Sequence, residues 1–159
     1  MVNSKDKLLM ENLSNFYNSE IIKEILPITL GQSKISLRVL DWFITNYCKL
    51  NNIILNNNNK KYYNIHLDYK SQLKAFSKKQ FDPFCRRERI IFYYEKEKFI
   101  TTTVGQLNFF KWAIENNILE YVDNNLKIIE NNMNKSSILK INASKKINKN
   151  NIDIIISFQ

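Results

Sequence analysis

Between Phe81 and Ile114 the chain reads FDPFCRRERIIFYYEKEKFITTTVGQLNFFKWAI, and no other stretch narrows its fold so far. Pro83 disfavours a helical Asp82, so the segment opens extended or as a turn. Arg89–Tyr94 is rich in β-branched and aromatic residues, Glu95-Lys96-Glu97 supplies a charged turn, and Lys98–Thr102 returns, the pattern of a β-hairpin. Thr103 with Gln106 three residues on fits a capping box, which starts a helix over Val104–Asn117. Leu107, Phe110 and Ile114 make one face of that helix, and Phe109, Trp112 and Ala113 another, so it is either enclosed or partly presented to a partner. A hairpin running straight into a capped aromatic helix commits the chain to mixed helix and sheet.

The flanking sequence extends this scheme. Apolar residues at three- and four-residue spacing predict one or two helices over 4–26, stopped by Pro27 and turned at Gly31. Ser33 or Ser36 can cap the next helix, whose apolar positions, widened by Val39, Trp42 and Phe43, cover more than half its circumference. The Asn-rich loop Asn56–Asn59 separates two short apolar runs. Asp68 offers a cap for a helix over Tyr69–Ser77, with Lys70, Lys74 and Lys78 on its outer face at four-residue spacing. A further helix spans Ile118–Met133. Ile138–Ala143 and Ile152–Phe158 then read as two strands around the polar segment Ser144–Asn151. At 159 residues, 44% apolar and 13% aromatic, the chain fits one domain with a substantial core. The expectation is a single α+β domain, 1–159, of about five helices packed on a small, mostly antiparallel sheet built from two hairpins. Within it, residues 1–33 form a helical amino-terminal segment and 134–159 a basic carboxy-terminal hairpin. The same pattern also fits a mainly helical domain with a peripheral hairpin.

Many chemistries are excluded. Two glycines, Gly31 and Gly105, leave no place for a GxGxxG turn or a P-loop. Cys48 and Cys85 cannot make a disulfide framework or a four-ligand zinc site, and their setting reads as a reducing compartment. His66, the one histidine, sits in a strand-like run and reads as structural or surface rather than as a catalytic base. Arg86 could activate the neighbouring Cys85 thiol, but a packed cysteine beside a proline turn is the simpler account. Glu115, Glu120 and Glu130 are explained as solvated helix faces. No apolar run approaches the roughly 18 residues that a membrane span needs. The apolar patch Leu8–Met10 is too short for a secretory leader. A non-enzymatic protein without metal or cofactor and without a membrane is expected.

Charge gives the positive signal. The chain carries a net +9, and residues 70–98 hold nine basic side chains against four acidic ones. Residues 134–151 add five lysines with no acid, while residues 1–33 are slightly acidic. The abundance of Asn, Lys and Ile matches an AT-rich coding sequence, which inflates lysine whatever the function. Arginine escapes that explanation, because three of the four in the chain fall within Arg86–Arg89. Guanidinium groups beside Phe92, Tyr93 and Tyr94 suit phosphate oxygens and stacked bases. On a strand, Arg87 and Arg89 share a face with Ile91 and Tyr93, so one face can bind while the other packs. The competing account pairs these arginines with Asp82, Glu88, Glu95 or Glu97 on a charged sheet edge. The residues expected to contact nucleic acid, DNA or RNA, are Lys74, Lys78, Arg86, Arg87, Arg89, Lys145 and Lys146. The alternative is a structural or assembly protein that docks on a protein partner through Phe109 and Trp112.

The segments SLRVLDWFITNY (36–47), YKSQLKAFSKKQFDPFCRR (69–87) and TTTVGQLNFFKWAI (101–114), with the terminal NIDIIISF, resemble small uncharacterised proteins of large nucleocytoplasmic DNA viruses, the giant viruses. The likeness covers roughly residues 34–158. It carries no catalytic residue across. It implies a viral product acting in the host cytoplasm, where viral factories form, or packaged in virions.

Overall fold

The computed structural model describes residues 4–57, 59–85 and 88–157, with side chains described as far as residue 144. It is a single α+β domain in which helices dominate and two small antiparallel sheets of two strands each sit at the periphery.

Two helices open the chain, α1 (Ser4–Phe16) and α2 (Ser19–Thr29), with Asn18 capping the second by accepting from the Ile21 amide at 2.9 Å. Pro27 lies inside the last turn of α2 and does not end it. The carbonyl of Pro27 then accepts from the amides of Gln32 and Ser33, which closes the turn. Ser36 caps α3 (Leu37–Trp42), accepting from the Val39 amide at 3.0 Å. The same helix widens into a π turn over Phe43–Tyr47 and finishes as α4 (Cys48–Asn51). Val39, Leu40, Phe43, Ile44 and Cys48 are all buried, so this bent helix is central, as its broad apolar stripe requires.

The first sheet pairs β1 (Ile54–Asn56) with β2 (Tyr62–Asn64) across the Asn-rich loop. Helix α5 (Ile65–Phe81) follows directly, capped by Asn64, whose side chain accepts from the Leu67 amide at 3.1 Å. It begins four residues before the expected start, so His66 lies on a helix and not on a strand. Asp68 serves another purpose, accepting from the indole Nε1 of Trp112 at 2.7 Å. Ser77, at φ 71°, breaks the helical path of α5 before its last turn.

The hairpin of β3 (Ile90–Glu95) and β4 (Lys98–Thr102) forms where the sequence places it, with a bulge between Tyr93 and Glu95. Thr103 caps α6 (Val104–Glu115), accepting from the Gln106 amide at 3.1 Å. Gln106 does not complete the box. Its side chain instead accepts from the Thr102 hydroxyl and donates to the Pro83 carbonyl, tying helix, strand and proline turn together.

Helix α6 is the hub. Leu107, Phe109, Phe110, Trp112 and Ala113 are buried on every side, against α1, α5 and α7 (Ile118–Asn124). Gly105 permits the closest approach, since a Cβ there would lie 2.7 Å from the Asp82 carbonyl oxygen and 3.0 Å from that of Lys79. The Tyr17 hydroxyl donates to the Leu107 carbonyl, and its ring meets Phe92 edge-on at 5.8 Å, so α1, α6 and the inner side of the hairpin share one core. With two glycines in the chain, asparagine takes the left-handed positions that end helices, at Asn52 (φ 49°) and Asn117 (φ 60°).

The carboxy-terminal hairpin is not formed. Residues 126–157 make one long helix, α8 (Leu126–Ser157), which Asn125 separates from α7. The expected break at Asn131–Asn134 is absent. No glycine or proline lies within this span to stop a helix, and isoleucine lowers helix propensity only slightly. Ile138, Leu139 and Ile141, read as a strand, stand exposed on the helix, while Ile129 near its start is buried in the body.

Candidate functional site

The β3–β4 hairpin has two unlike faces, fixed by the two-residue period of a strand. Phe92 and Thr102 are buried, and Ile90, Tyr94 and Ile100 pack partly behind them. Ile91, Tyr93 and Phe99 turn outward, at 61%, 60% and 52% exposure. Tyr93 pairs with Phe99 across the strands, with ring centroids 5.5 Å apart and planes inclined by 54°. Arg89, just before β3, is exposed. It lines a cavity of about 490 Å³ at the foot of the hairpin together with Phe84, Thr101, Ser36 and Gln106. The outer face thus carries an aromatic pair near the tip, and a guanidinium stands exposed at the entry to β3.

Among the described residues, three of the four carboxylates considered as partners for the arginines have other contacts. Glu88 pairs with Lys79 at 2.5 Å, which raises the pKa of that lysine. Glu95 accepts from the Ser19 hydroxyl and pairs with Lys98 at 3.5 Å. The serine bonds hold its carboxyl below the usual range, so it is a fixed anion at neutral pH. Asp82 accepts from the Phe84 amide at 2.8 Å. Arg89 makes no ion pair among the described residues.

Of the other residues expected to contact nucleic acid, Lys74 and Lys78 are exposed on α5 and likewise form no ion pair among the described residues. The break at Ser77 takes Lys78 out of the four-residue series begun by Lys70 and Lys74, so the three lysines do not form one helical stripe. The Lys79–Glu88 pair instead brings the end of α5 to the entry of β3, where Lys78 and Arg89 flank it in sequence. Arg86 and Arg87 lie outside the described residues. Lys145 and Lys146 lie on α8 with their side chains outside the described ones. Helix α8 packs on α3, the π turn and α7, whereas the hairpin packs on α2, so the two basic segments attach to different parts of the body.

Phe109 and Trp112 are not a docking surface. They are exposed by only 1% and 6%, within an aromatic cluster with Tyr69 and Phe81. Burial in that cluster, beside Asp41 and Asp82, pushes the Tyr69 hydroxyl up to about 12.

The groups considered for catalysis are also placed. His66 is buried, with Nδ1 3.2 Å from the Ile44 carbonyl in the π turn and no described partner at Nε2. Burial pushes the Cys48 thiol up, away from the thiolate form. Glu115 pairs with Lys111 at 2.7 Å. Among the described residues no group of His, Cys, Asp and Glu could hold a metal ion, and no helix is long and apolar enough to cross a membrane.

Residues 2–156 match the family of unknown function DUF7197. The chain belongs to this family. It is 38% identical, over 165 aligned positions, to an uncharacterized protein of Acanthamoeba polyphaga mimivirus, an alignment covering 98% of this chain and 63% of that relative. The DUF7197 chain thus spans less than two thirds of that viral protein's length, and the expected kinship with giant-virus proteins is borne out. No solved structure matches it.

The sequence missed Phe99 and Phe84 as site residues. Pairing the hairpin from its Lys96-Glu97 turn alone would set Phe99 opposite Tyr94, and it is the bulge that brings it opposite Tyr93.

Proposed function

We propose that this DUF7197 protein is a non-enzymatic, basic, nucleic-acid-binding protein of a viral system, acting in the host cytoplasm or within the virion. The observation that carries the reading is the outer face of the β3–β4 hairpin, where Tyr93 and Phe99 stand exposed while Phe92 on the opposite face is buried, with an exposed Arg89 at the entry to β3. Exposed aromatic rings and a guanidinium with no ion pair among the described residues match the two surfaces of a nucleotide, its base and its phosphate. Lys74 and Lys78 add phosphate contacts along α5, with Arg86, Arg87, Lys145 and Lys146 as further donors. The net charge of +9 would steer any polyanion toward the protein.

Electrophoretic mobility shift across a salt series tests this. If six to ten phosphates are contacted, affinity falls by about 10³- to 10⁵-fold between 50 and 200 mM salt. Reversing the charge of Arg89, Lys74 and Lys78 together weakens binding and flattens the salt slope. No shift at low salt, or unchanged affinity in the reversed variant, rejects the proposal.

A second reading, an assembly role through protein contacts, draws on helix α8, whose Ile138, Leu139 and Ile141 are exposed beyond the buried Ile129. It predicts an oligomer by light scattering that Ile138→Asp with Ile141→Asp disperses; a monomer throughout sinks it.

A further inference from the structure

We infer that the outer hairpin face is a stacking platform for unpaired bases, so that the protein selects single-stranded nucleic acid over duplex. This rests on the nucleic-acid reading above and specifies the form of the ligand. A base inside a duplex has both π faces covered by its neighbours, whereas an unpaired base offers a face to any exposed ring. The hairpin presents such rings in the open. Tyr93 and Phe99 are more than half exposed and inclined to each other by 54°, so neither ring covers the other's face. A third ring, Phe84, is 42% exposed at the cavity that Arg89 and Thr101 line at the base of the same face.

Spacing supports a strand laid along this face. Arg89 precedes Tyr93 by four residues, which at the rise of an extended chain places them roughly 13 Å apart. That span separates an aromatic contact near the tip from a phosphate contact at the base, with Ile91 and Thr101 between them as an apolar and hydroxyl-bearing floor. Neither a major-groove helix nor a two-stranded ribbon rich in base-reading amide side chains is presented here. Away from the Glu95–Lys98 ion pair at the tip, the outward residues of the two strands are Ile91, Tyr93, Phe99 and Thr101, and none has the side-chain amide that reads a base edge bidentately. Stacking with little sequence preference is the mode this composition fits.

The fixed anion of Glu95 sits near the tip but is answered by Lys98, so the tip is close to neutral, while the guanidinium of Arg89 at the entry to β3 has no ion pair among the described residues. Phosphates therefore gather toward Arg89 and bases toward Tyr93 and Phe99.

The test is fluorescence anisotropy at 20 mM salt with three labelled probes, oligo-dT and oligo-U of 15 nucleotides and a 15-base-pair duplex. Wild-type protein binds the single strands at least tenfold more tightly than the duplex. Tyr93→Ala and Phe99→Ala each lower single-strand affinity by roughly 5- to 150-fold and leave duplex affinity unchanged. Tyr93→Trp keeps a ring and retains binding, while circular dichroism melting shows that all three variants fold. Equal binding to strand and duplex, or binding indifferent to Tyr93→Ala, overturns the stacking inference and leaves the broader reading standing. Absence of binding to all three probes overturns both. Self-association that Tyr93→Ala abolishes also overturns it, because the face then belongs to a second copy of the chain.

Discussion

The aromatic helix α6 and the β3–β4 hairpin adjoin in sequence and share a residue vocabulary, yet they put their rings to opposite uses. Phe109 and Trp112 vanish into the cluster around Tyr69 and Phe81, whereas Tyr93 and Phe99 stand in solvent. Residue type does not separate the two cases. A helix enclosed by α1, α5 and α7 buries its whole circumference, but a two-stranded sheet can bury only one face, and every second residue is left outside. Exposed aromatics in this fold are thus a product of sheet thinness, and rings placed there are available to a ligand in a way that those of α6 are not.

Substitutions can break or sharpen that contrast. The largest effect is expected from Phe109→Ala, which opens a cavity in the aromatic cluster and costs about 3–5 kcal/mol, lowering the thermal midpoint by roughly 10 °C in calorimetry. A loss below about 1 kcal/mol would mean that α6 is less enclosed than its burial indicates. Gly105→Ala comes next. Its methyl would meet the Asp82 carbonyl at 2.7 Å, and because both sides of that contact are backbone, a loss of about 1–3 kcal/mol in denaturant unfolding follows.

Asp41→Asn probes the same buried neighbourhood from its electrostatic side. Burial, and then the nearby Asp82, raise the Asp41 carboxyl above its usual pKa. The folded state therefore holds this proton more tightly than the unfolded one, so the group contributes most in acid and its contribution is lost as pH rises through the folded value. At neutral pH the charged form costs stability. The neutral amide of the Asp41→Asn variant should stabilise by less than about 1 kcal/mol at pH 7, since the group is partly solvated, and by nothing at pH 3, as urea unfolding at the two pH values would show. Smallest of all is Tyr93→Ala, within about 1 kcal/mol in thermal unfolding, as befits an exposed ring whose described ring contact is the cross-strand one with Phe99. A large loss there would place Tyr93 with the core and remove it from the site.

What could be read from the sequence follows the strength of local rules. Ser36 and Thr103 announced their helices because a hydroxyl one residue before an apolar period has little else to do. The hairpin was legible from its charged turn and its run of β-branched and aromatic residues. Outcomes set by distant partners were not legible. Asp68 looks like a cap but answers the Trp112 indole 44 residues away, and Asn64 takes the cap instead. The isoleucine runs after residue 137 fit strand or helix equally until the absence of a breaker across α8 is weighed. For the candidate site, the alternation of Ile91 and Tyr93 against Phe92 followed from strand period alone. The burial of Phe109 and Trp112 did not, because two apolar faces on one helix specify enclosure without naming what encloses them.

The bulge between Tyr93 and Glu95 brings Phe99 opposite Tyr93, where the turn alone would set it opposite Tyr94. Along β3 the two-residue alternation holds Phe92 in the interior and leaves Ile91 and Tyr93 outside, so single replacements at those two positions leave the fold almost untouched. Loss of a single residue from the strand would instead swap the two sets, pushing Phe92 into water and Tyr93 into the interior, and forfeit both properties in one step.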